Sequence, residues 1–249
     1  MIPVSVVIVT KDEERNIRDA LESVRDFEDI IVLDAFSTDS TPAICREYSG
    51  RVYQQEWIGY ARQKQAAVDL AERQWVLILD ADERVTPELK EEISERIQES
   101  TFSGYYLPRK SYFLGRWMRH SGWWPDYILR LFRKDTAHIE PREVHEKVVV
   151  NGAVGYLKGP LEHYTYRTIS DYIRKMEHYS SLSAEELGHK KTMPLISLVL
   201  NPFAVFAKMF FLRQGFRDGV HGFILAGLYS FYTFLKYAKI WEKRRGGVV

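Results

Sequence analysis

The stretch Trp75-Val76-Leu77-Ile78-Leu79-Asp80-Ala81-Asp82 sets five apolar residues directly before two carboxylates that are one residue apart. A short, continuous apolar run of this kind is typical of a strand buried on both faces of a sheet. Residues i and i+2 of a strand project to the same side, so Asp80 and Asp82 can share one hard cation that keeps positions open for phosphate oxygens. A solvated acidic turn gives the same three-residue pattern, and the motif by itself does not separate the two.

The composition describes a folded protein with no global charge preference. Of 249 residues, 45% are hydrophobic and 28% are charged, as in one large domain or a core domain with an appendage. The net charge of +1 gives no reason to expect a nucleic-acid partner. The single cysteine, Cys45, excludes an intrachain disulfide framework, and its apolar-periodic segment predicts a buried thiol. No basic and apolar leader precedes the first strand, so we expect a protein of the cytoplasm or one attached to a membrane from that side.

Strands alternate with helices over the first hundred residues. This alternation predicts a parallel sheet with right-handed crossovers, in which ligands bind at the carboxyl ends of the strands. Four polar residues fall at those ends, namely Thr10, Asp34, Asp80 and Asp82. The chain has neither a Gly-x-Gly-x-x-Gly after its first strand nor a Walker A lysine loop, which argues against a dinucleotide or P-loop site. The predicted strands are 4–9, 29–33, 51–53 and 75–79, and the predicted helices begin near 17, 42, 61 and 87.

From residue 105 onward, aromatic and β-branched segments predict strands of a mixed sheet, at 105–108, 127–132 and 147–150. An aromatic, basic loop between them carries Trp117, Trp123 and Trp124. Tryptophan rings pack on sugar faces and in protein cores alike, so the sequence leaves both interpretations open.

Two apolar, aromatic-rich segments, 195–212 and 219–235, dominate a C-terminal part that is predicted to be helical after Thr165. Neither segment reaches the ~20 clean residues that a membrane-spanning helix needs. Interfacial or re-entrant helices fit better, with the cations after residue 235 facing anionic lipid. A buried helical pair in a core or a dimer is the alternative. The cations in question are Lys236, Lys239, Lys243, Arg244 and Arg245.

Three motifs combine into a specific pattern: Val-Ser-Val-Val-Ile-Val-Thr-Lys-Asp-Glu-Glu at 4–14, Leu-Asp-Ala-Phe-Ser-Thr-Asp-Ser-Thr at 33–41 and Leu-Asp-Ala-Asp-Glu at 79–83. In this order and spacing they resemble the family 2 glycosyltransferases of GT-A fold. Further segments, at 130–133, 144–146 and 215–219, are similar to the branch that includes the lipopolysaccharide inner-core β-glucosyltransferases. The resemblance implies an α/β fold with a Rossmann-like, mostly parallel sheet and a C-terminal helical extension that associates with a membrane.

The same resemblance implies an inverting transfer of a sugar from a nucleotide donor, usually a uridine diphosphate sugar. On the matching positions, Thr10, Glu13 and Asp34 would line the nucleoside pocket. The segment Asp80-Ala81-Asp82 would contact the diphosphate, with Asp80 and Asp82 holding Mg²⁺ or Mn²⁺.

Two departures from the family pattern fall on the nucleoside side. Many members have a second acid and a glycine after the first acid of the second motif, where this chain has Ala35 and Phe36. Asp12 replaces the usual asparagine of the first motif. The carboxylates of the metal motif are intact.

The chemistry of displacement points to further candidates. The leaving diphosphate gathers negative charge, which a divalent ion and nearby cations stabilise. Lys64 and Arg130, with Arg62 and Arg133 after them, are the candidate cations, although each also fits a surface charge. Inversion in one displacement needs a base on the acceptor side, which contributes on the order of 10²–10⁴ in rate. Glu146, in the Val-His-Glu motif, is the candidate base, and Asp126 is the reserve.

We therefore expect a metal-dependent inverting hexosyltransferase. Residues 1–104 would bind the nucleotide sugar, 105–165 would form the acceptor half of the same domain, and 166–249 would be helical and membrane-associated. The expected donor is UDP-glucose or a similar sugar nucleotide, and the expected acceptor is a lipid-linked saccharide such as lipopolysaccharide core heptose.

Three alternatives compete with this expectation. The first is a polyprenyl phosphate or a polyprenyl-linked saccharide as the acceptor, and the second is a non-catalytic membrane scaffold that retains the fold. A nucleotidyltransferase with a similar sheet is disfavoured, because its glycine-rich, arginine-bearing loop is missing. The expected location is the cytoplasmic face of the inner membrane, as a peripheral or monotopic protein, with homo-oligomerisation left open.

Overall fold

The computed structural model describes residues 1–98, 101–140, 147–188 and 196–244. These residues divide into two compact units. Unit 1 comprises Met1–Lys110 and Asp126–His163, and unit 2 comprises Ser111–Pro125 with the residues from Tyr164 onward.

The order of elements follows the predicted alternation and then departs from it. The strands are β1 (Ile2–Thr10), β2 (Phe27–Asp34), β3 (Arg51–Gln54), β4 (Trp75–Asp80), β5 (Glu83–Val85), β6 (Gly104–Phe113), β7 (Arg116–Trp117), β8 (Asp126–Arg133), β9 (Ala137–Glu140), β10 (Lys147–Val150), β11 (Val154–Tyr156) and β12 (Leu161–Tyr166). The helices are α1 (Ile17–Ser23), α2 (Thr41–Tyr48), α3 (Tyr60–Asp69), α4 (Pro87–Arg96), α5 (Ile169–Gly188), α6 (Ile196–Ala207) and α7 (Gly219–Arg244).

A mixed sheet organises the strands in the order β3-β2-β1-β4-β8-β6-β12-β5, with β7 and β11 attached to β6. The pairs β3–β2, β2–β1 and β1–β4 are parallel, whereas β8 runs antiparallel to both β4 and β6. Strands β9 and β10 form a separate antiparallel pair. The parallel half places the carboxyl ends of β1, β2 and β4 together, as the sequence predicts.

Burial on both faces explains why β1 and β4 are almost entirely apolar. On β4, Leu77 and Leu79 pack with α1 and α4 in one core cluster, whereas Val76 and Ile78 pack with α3 in the other. Successive side chains of a strand point to opposite faces, so covering both faces requires apolar residues at every position. The predicted buried thiol of Cys45 lies in the first cluster, where burial raises its pKa to about 12.

Unit 2 has a core of its own, formed by residues of α5, α7 and the loop around β7. Its buried members are Phe113, Met118, Tyr172, Met176, Met209, Leu225 and Ala226. After α6 a π-helical turn (Lys208–Leu212) and a 3₁₀ turn (Gly215–Asp218) lead into α7. In the described part of the chain, no single helix is long and apolar enough to cross a membrane. The bent pair Ile196–Leu212 and Gly215–Arg244, with 70° between its arms, passes that test by length and composition only.

The structure confirms the strands and helices predicted for the first hundred residues and those predicted from residue 105 onward, with small shifts at their ends. The helix that begins after Thr86 is capped by that side chain, which accepts a hydrogen bond from the Leu89 amide at 3.2 Å. One prediction about the C-terminal cations was wrong. Lys239 does not face outward, because its ammonium group bonds to Glu177 Oε1 at 2.9 Å and to Ser181 Oγ at 2.7 Å, both on α5.

Candidate active site

Strand register brings the predicted polar residues of unit 1 to one edge of the sheet. Val9 of β1 lies opposite Asp80 of β4, and Thr10 lies opposite Asp34 of β2. The main chain continues the match, since the Ala35 amide donates to the Thr10 carbonyl at 2.8 Å. The parallel half of the sheet therefore ends in the donor-site residues that the motifs predict.

Asp80 lies between two cations that are buried. Its Oδ1 is 2.8 Å from Lys64 Nζ, and its Oδ2 accepts a hydrogen bond from Arg130 Nη2. Lys64 and Arg130 are only 5% and 8% exposed, so neither is a surface charge. Burial opposes ionisation of Asp80, but the positive charges of Arg130 and Lys64 outweigh it and lower the pKa of the carboxyl below its ordinary value. By contrast, Arg62 is exposed and Arg133 pairs locally with Asp135 at 2.9 Å.

Glu83 extends this arrangement into a network of alternating charges. The residue is fully buried, and its Oε2 accepts the Asp80 amide at 3.0 Å. Its other oxygen lies 3.5 Å from Arg130 and 3.8 Å from Arg109, which in turn holds Asp126 at 2.6 Å. A buried charge is tolerated when it is paired and hydrogen-bonded, and each member here meets that condition. The predicted reserve base, Asp126, is thereby linked to Asp80.

Asp82 has a different environment from Asp80. Its Oδ2 lies 3.5 Å from Nε2 of His163, and both side chains are largely covered, at 14% and 13% exposure. The antiparallel register of β12 against β5 explains the contact, because it sets His163 opposite Glu83, one residue after Asp82. A carboxylate oxygen suits both Mg²⁺ and Mn²⁺, whereas an imidazole nitrogen suits transition metals, so the facing pair fits Mn²⁺ better than Mg²⁺.

The turn between these acids is fixed by Arg84. Its guanidinium donates to the Ala81 carbonyl at 3.1 Å and to the Asn16 carbonyl at 2.8 Å. Ala81 is itself buried, at 5% exposure. The Asp-Ala-Asp segment is thus held from behind by main-chain contacts, which preorganises the two carboxylates.

The loops after β1 and β2 interlock on the nucleoside side of the site. The Asp12 amide donates to Ser37 Oγ at 2.8 Å, and Asp12 Oδ1 accepts the Thr38 amide at 2.7 Å. Asp34 is buried, with Oδ2 accepting the Ser37 amide at 3.0 Å. Asp12 therefore connects the two loops through its amide and through a carboxylate oxygen, which accepts hydrogen bonds as the amide oxygen of an asparagine does.

Phe36 adopts a left-handed backbone conformation, with φ of +54°, at the position where many family members have glycine. Asp12, across the loop, has φ of +53°. A left-handed non-glycine residue costs roughly 1–2 kcal/mol, and the cost is highest for bulky side chains. The Phe36 ring is nevertheless 50% exposed, so no burial in the core offsets that strain.

Thr10 and Glu13 complete the predicted nucleoside contacts. The Thr10 hydroxyl is buried, and it has no hydrogen-bond partner among the residues the structure describes. Such an orphaned hydroxyl costs about 1–3 kcal/mol, which a bound ligand or water recovers. Glu13 anchors its loop through its amide, which donates to Thr41 Oγ1 at 2.8 Å, and its Oε2, which accepts from Asn16 at 2.7 Å.

Three residues of the site escaped sequence reasoning: Glu83, Arg109 and His163. Glu83 belonged to the quoted motif, but nothing in its type distinguished a buried acid from a solvated one. Arg109 and His163 carry no local signal, because their places depend on the pairing of β6 with β8 and of β12 with β5. The predicted base, Glu146, lies outside the described residues.

Across the described residues, no group of three or more His, Cys, Asp or Glu side chains is arranged to hold a metal ion. The chain itself offers the pair Asp82 and His163. A divalent ion at that pair fits the usual mode of Mg²⁺ binding in phosphate sites, where one or two protein ligands are completed by waters and substrate phosphate oxygens.

The fold and these motifs are those of a glycosyltransferase, and the chain belongs to glycosyl transferase family 2, whose model matches residues 5–165. Among curated relatives, the lipopolysaccharide core biosynthesis glycosyltransferase LpsC of Rhizobium meliloti (strain 1021) is 30% identical over 97% of this chain and 93% of its own length. The uncharacterized glycosyltransferase RT0209 of Rickettsia typhi is 32% identical over 97% of this chain and 88% of its own. The protein is therefore a glycosyltransferase and a homologue of a lipopolysaccharide core enzyme.

A solved structure confirms the predicted fold class. Mannosyltransferase PcManGT from Pyrobaculum calidifontis, in complex with GDP-Man and Mn²⁺, aligns with a TM-score of 0.52 over 97% of this chain and 88% of that one, at 14% sequence identity. At this identity the likeness establishes the GT-A fold and nothing finer.

Proposed function

We propose that this glycosyltransferase moves a sugar, with inversion, from a nucleoside diphosphate donor such as UDP-glucose to a lipid-linked saccharide such as lipopolysaccharide core heptose. The observation that carries the donor half is the pair of buried cations on Asp80, with Asp82 and His163 beside it. These groups are already desolvated and held in place, which is the condition for stabilising charge that develops on a leaving phosphate.

The metal belongs to the same proposal. Asp82 and His163 would hold Mg²⁺ or Mn²⁺, and the ion would supply electrostatic stabilisation to the departing diphosphate. Asp80, whose carboxylate already pairs with Lys64 and Arg130, is predicted to share in that site. A neighbour of the same fold binds GDP-Man together with Mn²⁺, which supports this class of ligand.

Phe36 supplies the nucleobase contact in this proposal. Phe36 follows the carboxyl end of β2, where its backbone is strained and its ring is exposed. A contact between the ring and a ligand would explain why this unfavourable arrangement is kept. Stacking of a base on an aromatic side chain is worth about 1–3 kcal/mol. Thr10 and Asp34, at the carboxyl ends of the adjacent strands β1 and β2, would also contact the nucleoside.

The base that deprotonates the acceptor hydroxyl is proposed to be Glu146, with Asp126 as the alternative. Asp126 accepts two hydrogen bonds from Arg109, at 2.6 and 3.0 Å, which hold the carboxylate in one orientation. An ionised carboxylate within reach of the acceptor hydroxyl would accept its proton as the glycosyl bond to the diphosphate breaks.

Attachment to the inner membrane from its cytoplasmic side completes the proposal. Exposed apolar side chains recur at helical spacing along α6, at Ile196, Val199, Leu200 and Phe203. A second row follows α7, at Val220, Phe223, Phe231 and Phe234. So large an exposed apolar surface marks an interaction site. Between Ile196 and Arg244 the sequence has seven Lys or Arg and two Asp or Glu, and two of these cations, Lys239 and Lys243, pair with acids of α5. The positive charge that remains favours an anionic bilayer over a second copy carrying the same charge.

A donor screen tests the proposed reaction. Full-length protein is incubated with uridine, guanosine and thymidine diphosphate sugars, with Mg²⁺ or Mn²⁺ or with EDTA, and nucleoside diphosphate release is measured. Metal-dependent release from one uridine diphosphate sugar, stimulated by an extracted lipopolysaccharide core acceptor, is expected. Stimulation by a polyprenyl-linked acceptor in its place would select the alternative acceptor. An absence of release from every donor would instead favour the scaffold.

A further inference from the structure

The segment Gly-Phe-Arg-Asp-Gly at 215–219 has no part in the donor site, yet it is built tightly into unit 2. Asp218 is only 2% exposed, and its carboxylate accepts hydrogen bonds from the His120 amide at 2.9 Å and from the Arg119 amide at 3.4 Å. The Ser121 amide donates to the Arg213 carbonyl at 2.9 Å. These bonds tie the loop after β7 to the turn before α7.

The glycines of this turn leave no room for a side chain. A Cβ on Gly222 would lie 1.9 Å from the Gly215 carbonyl oxygen, and one on Gly215 would lie 2.5 Å from Ser121 Oγ. Gly219 has φ of +63°, in the region that favours glycine. The motif therefore fixes the backbone of the two segments against each other.

Four exposed arginines surround the fixed backbone. Arg213 lies over Gly122, where a Cβ would come within 2.0 Å of its Nη1. Nη1 of Arg116 is 3.9 Å from the Cβ position of Gly219, and Arg119 stacks 4.3 Å above the Trp117 ring. Arg217 is braced by its bond to Gln214 Oε1 at 2.8 Å. Within the described part of the chain, none of the four makes an ion pair, and the acid at their centre, Asp218, is buried.

His120 adds an oriented imidazole to this group. Its Nδ1 lies 3.0 Å from Asp218 Oδ1, an arrangement in which Nδ1 donates and Nε2 remains for another partner. The side chain is 23% exposed, so a ligand has access to the ring. A carboxylate behind the imidazole fixes its tautomer and the orientation of the ring.

We infer that this loop pair is a binding site for a phosphate group carried on a lipid. Arg213 and Arg217 would form charge-assisted bonds to the phosphate oxygens, with Arg116, Arg119 and His120 as further donors. Its lipid character follows from the flanking residues, because Phe211, Leu212 and Phe216 are 59%, 79% and 52% exposed beside the arginines in sequence. The inference rests on the proposed function in one respect, namely that the acceptor of this enzyme is lipid-linked.

Binding of dihexanoyl phosphatidic acid to the full-length protein in detergent tests the site. Arg213→Gln and Arg217→Gln are each expected to weaken binding about tenfold, the loss that corresponds to one charge-assisted hydrogen bond. Arg174→Gln is the matched control, since Arg174 is an exposed arginine of α5 in the same unit, with 80% of its side chain accessible. Equal weakening by the control variant would mean attraction to general positive charge and would overturn the site.

Two further measurements test whether the bound phosphate belongs to a lipid and whether Asp218 positions the His120 ring. Inorganic phosphate should compete with the lipid but bind more weakly. Equal affinity for the two would overturn the lipid assignment. Asp218→Asn should weaken lipid binding and shift the ¹H signal of the His120 Nδ1 proton upfield, because the neutral amide is a weaker acceptor than the carboxylate. An unchanged signal would refute the positioning role. No nucleotide is present in these assays, so a wrong donor assignment leaves their outcome unaffected.

Discussion

The two units treat charge in opposite ways. At the carboxyl edge of the sheet in unit 1, Lys64, Arg130 and Glu83 are 5%, 8% and 0% exposed. Lys64 pairs with Asp80 at 2.8 Å, and Arg130 lies 3.5 Å from Glu83. In unit 2 the arginines around residue 218 are exposed, and so are apolar side chains such as Phe203, at 71%. A buried charge requires an oppositely charged partner within the protein, whereas an exposed cation or aromatic ring can bind a partner from outside the protein. Unit 1 is therefore preorganised to bind a small, charged substrate, and unit 2 is suited to binding a large external surface.

Asp82→Asn is the largest expected perturbation of unit 1. Loss of the proposed metal contact should cut turnover at least about a thousandfold, because a bound divalent ion contributes several kcal/mol to stabilising the leaving group. His163→Ala should likewise lower the affinity for the metal ion. Activity is measured across a titration of Mn²⁺, with thermal unfolding recorded for each variant. Near-normal turnover with unchanged metal dependence in Asp82→Asn would show that the metal is held elsewhere.

Asp80→Asn provides the comparison, since it removes the partner of two buried cations. We expect it to lower the free energy of unfolding by about 2–3 kcal/mol, less than for a fully buried pair because the Asp80 side chain is 30% exposed. Asp82→Asn should leave the stability nearly unchanged. Equal destabilisation by the two variants would contradict the distinct environments that the contacts indicate.

Glu146→Gln is expected to slow transfer by roughly two to four orders of magnitude while donor binding persists, because the amide keeps the shape and loses the basicity. Single-turnover transfer and equilibrium binding of the nucleotide, measured on the same variant, separate the two effects. Asp126→Asn is the paired variant. If it causes the larger loss of transfer, the base is the carboxylate that Arg109 holds, and Glu146 has another role.

The apolar surface of unit 2 is tested by the triple variant Phe203→Ser, Leu212→Ser and Val220→Ser. These side chains are 71%, 79% and 70% exposed, so their loss should leave the fold intact. Each should cost about 1 kcal/mol of membrane affinity, which together weakens binding to phosphatidylglycerol vesicles about a hundredfold. Tyr156→Ser, at an exposed aromatic residue of unit 1, is the control. Undiminished sedimentation of the triple variant with vesicles would argue for a core or dimer role of these helices.

Phe36→Gly gives the smallest effect and the most diagnostic, because stability and affinity should move in opposite directions. Relief of the left-handed strain should raise the free energy of unfolding by about 1 kcal/mol. Loss of the stacked ring should weaken UDP binding by about tenfold. Gln214→Gly, at another left-handed residue with φ of +56°, should alter stability without changing UDP binding. A Phe36→Gly protein that binds UDP as tightly as the wild type would remove Phe36 from the nucleoside site.

The sequence by itself determined the parallel half of the sheet and most of the donor edge. The continuous apolar runs of β1 and β4 predicted burial on both faces, and the carboxylates after them predicted a site at the strand ends. Both inferences depend on neighbours in sequence, where periodicity and chain direction carry the information. The apolar, aromatic-rich segments that form α6 and α7 were visible for the same reason.

Tertiary structure alone decided which charges meet. Lys64 and Arg130 each looked like a surface cation, and their burial on Asp80 depends on α3 and β8 packing against β4. His163 reached Asp82 through the antiparallel register of β12 with β5, 81 positions along the chain from it. Such contacts join residues that no local pattern relates, because the register of distant strands is set by the fit of whole faces. Residue types therefore indicated that a site exists, whereas the pairing of strands decided which side chains form it.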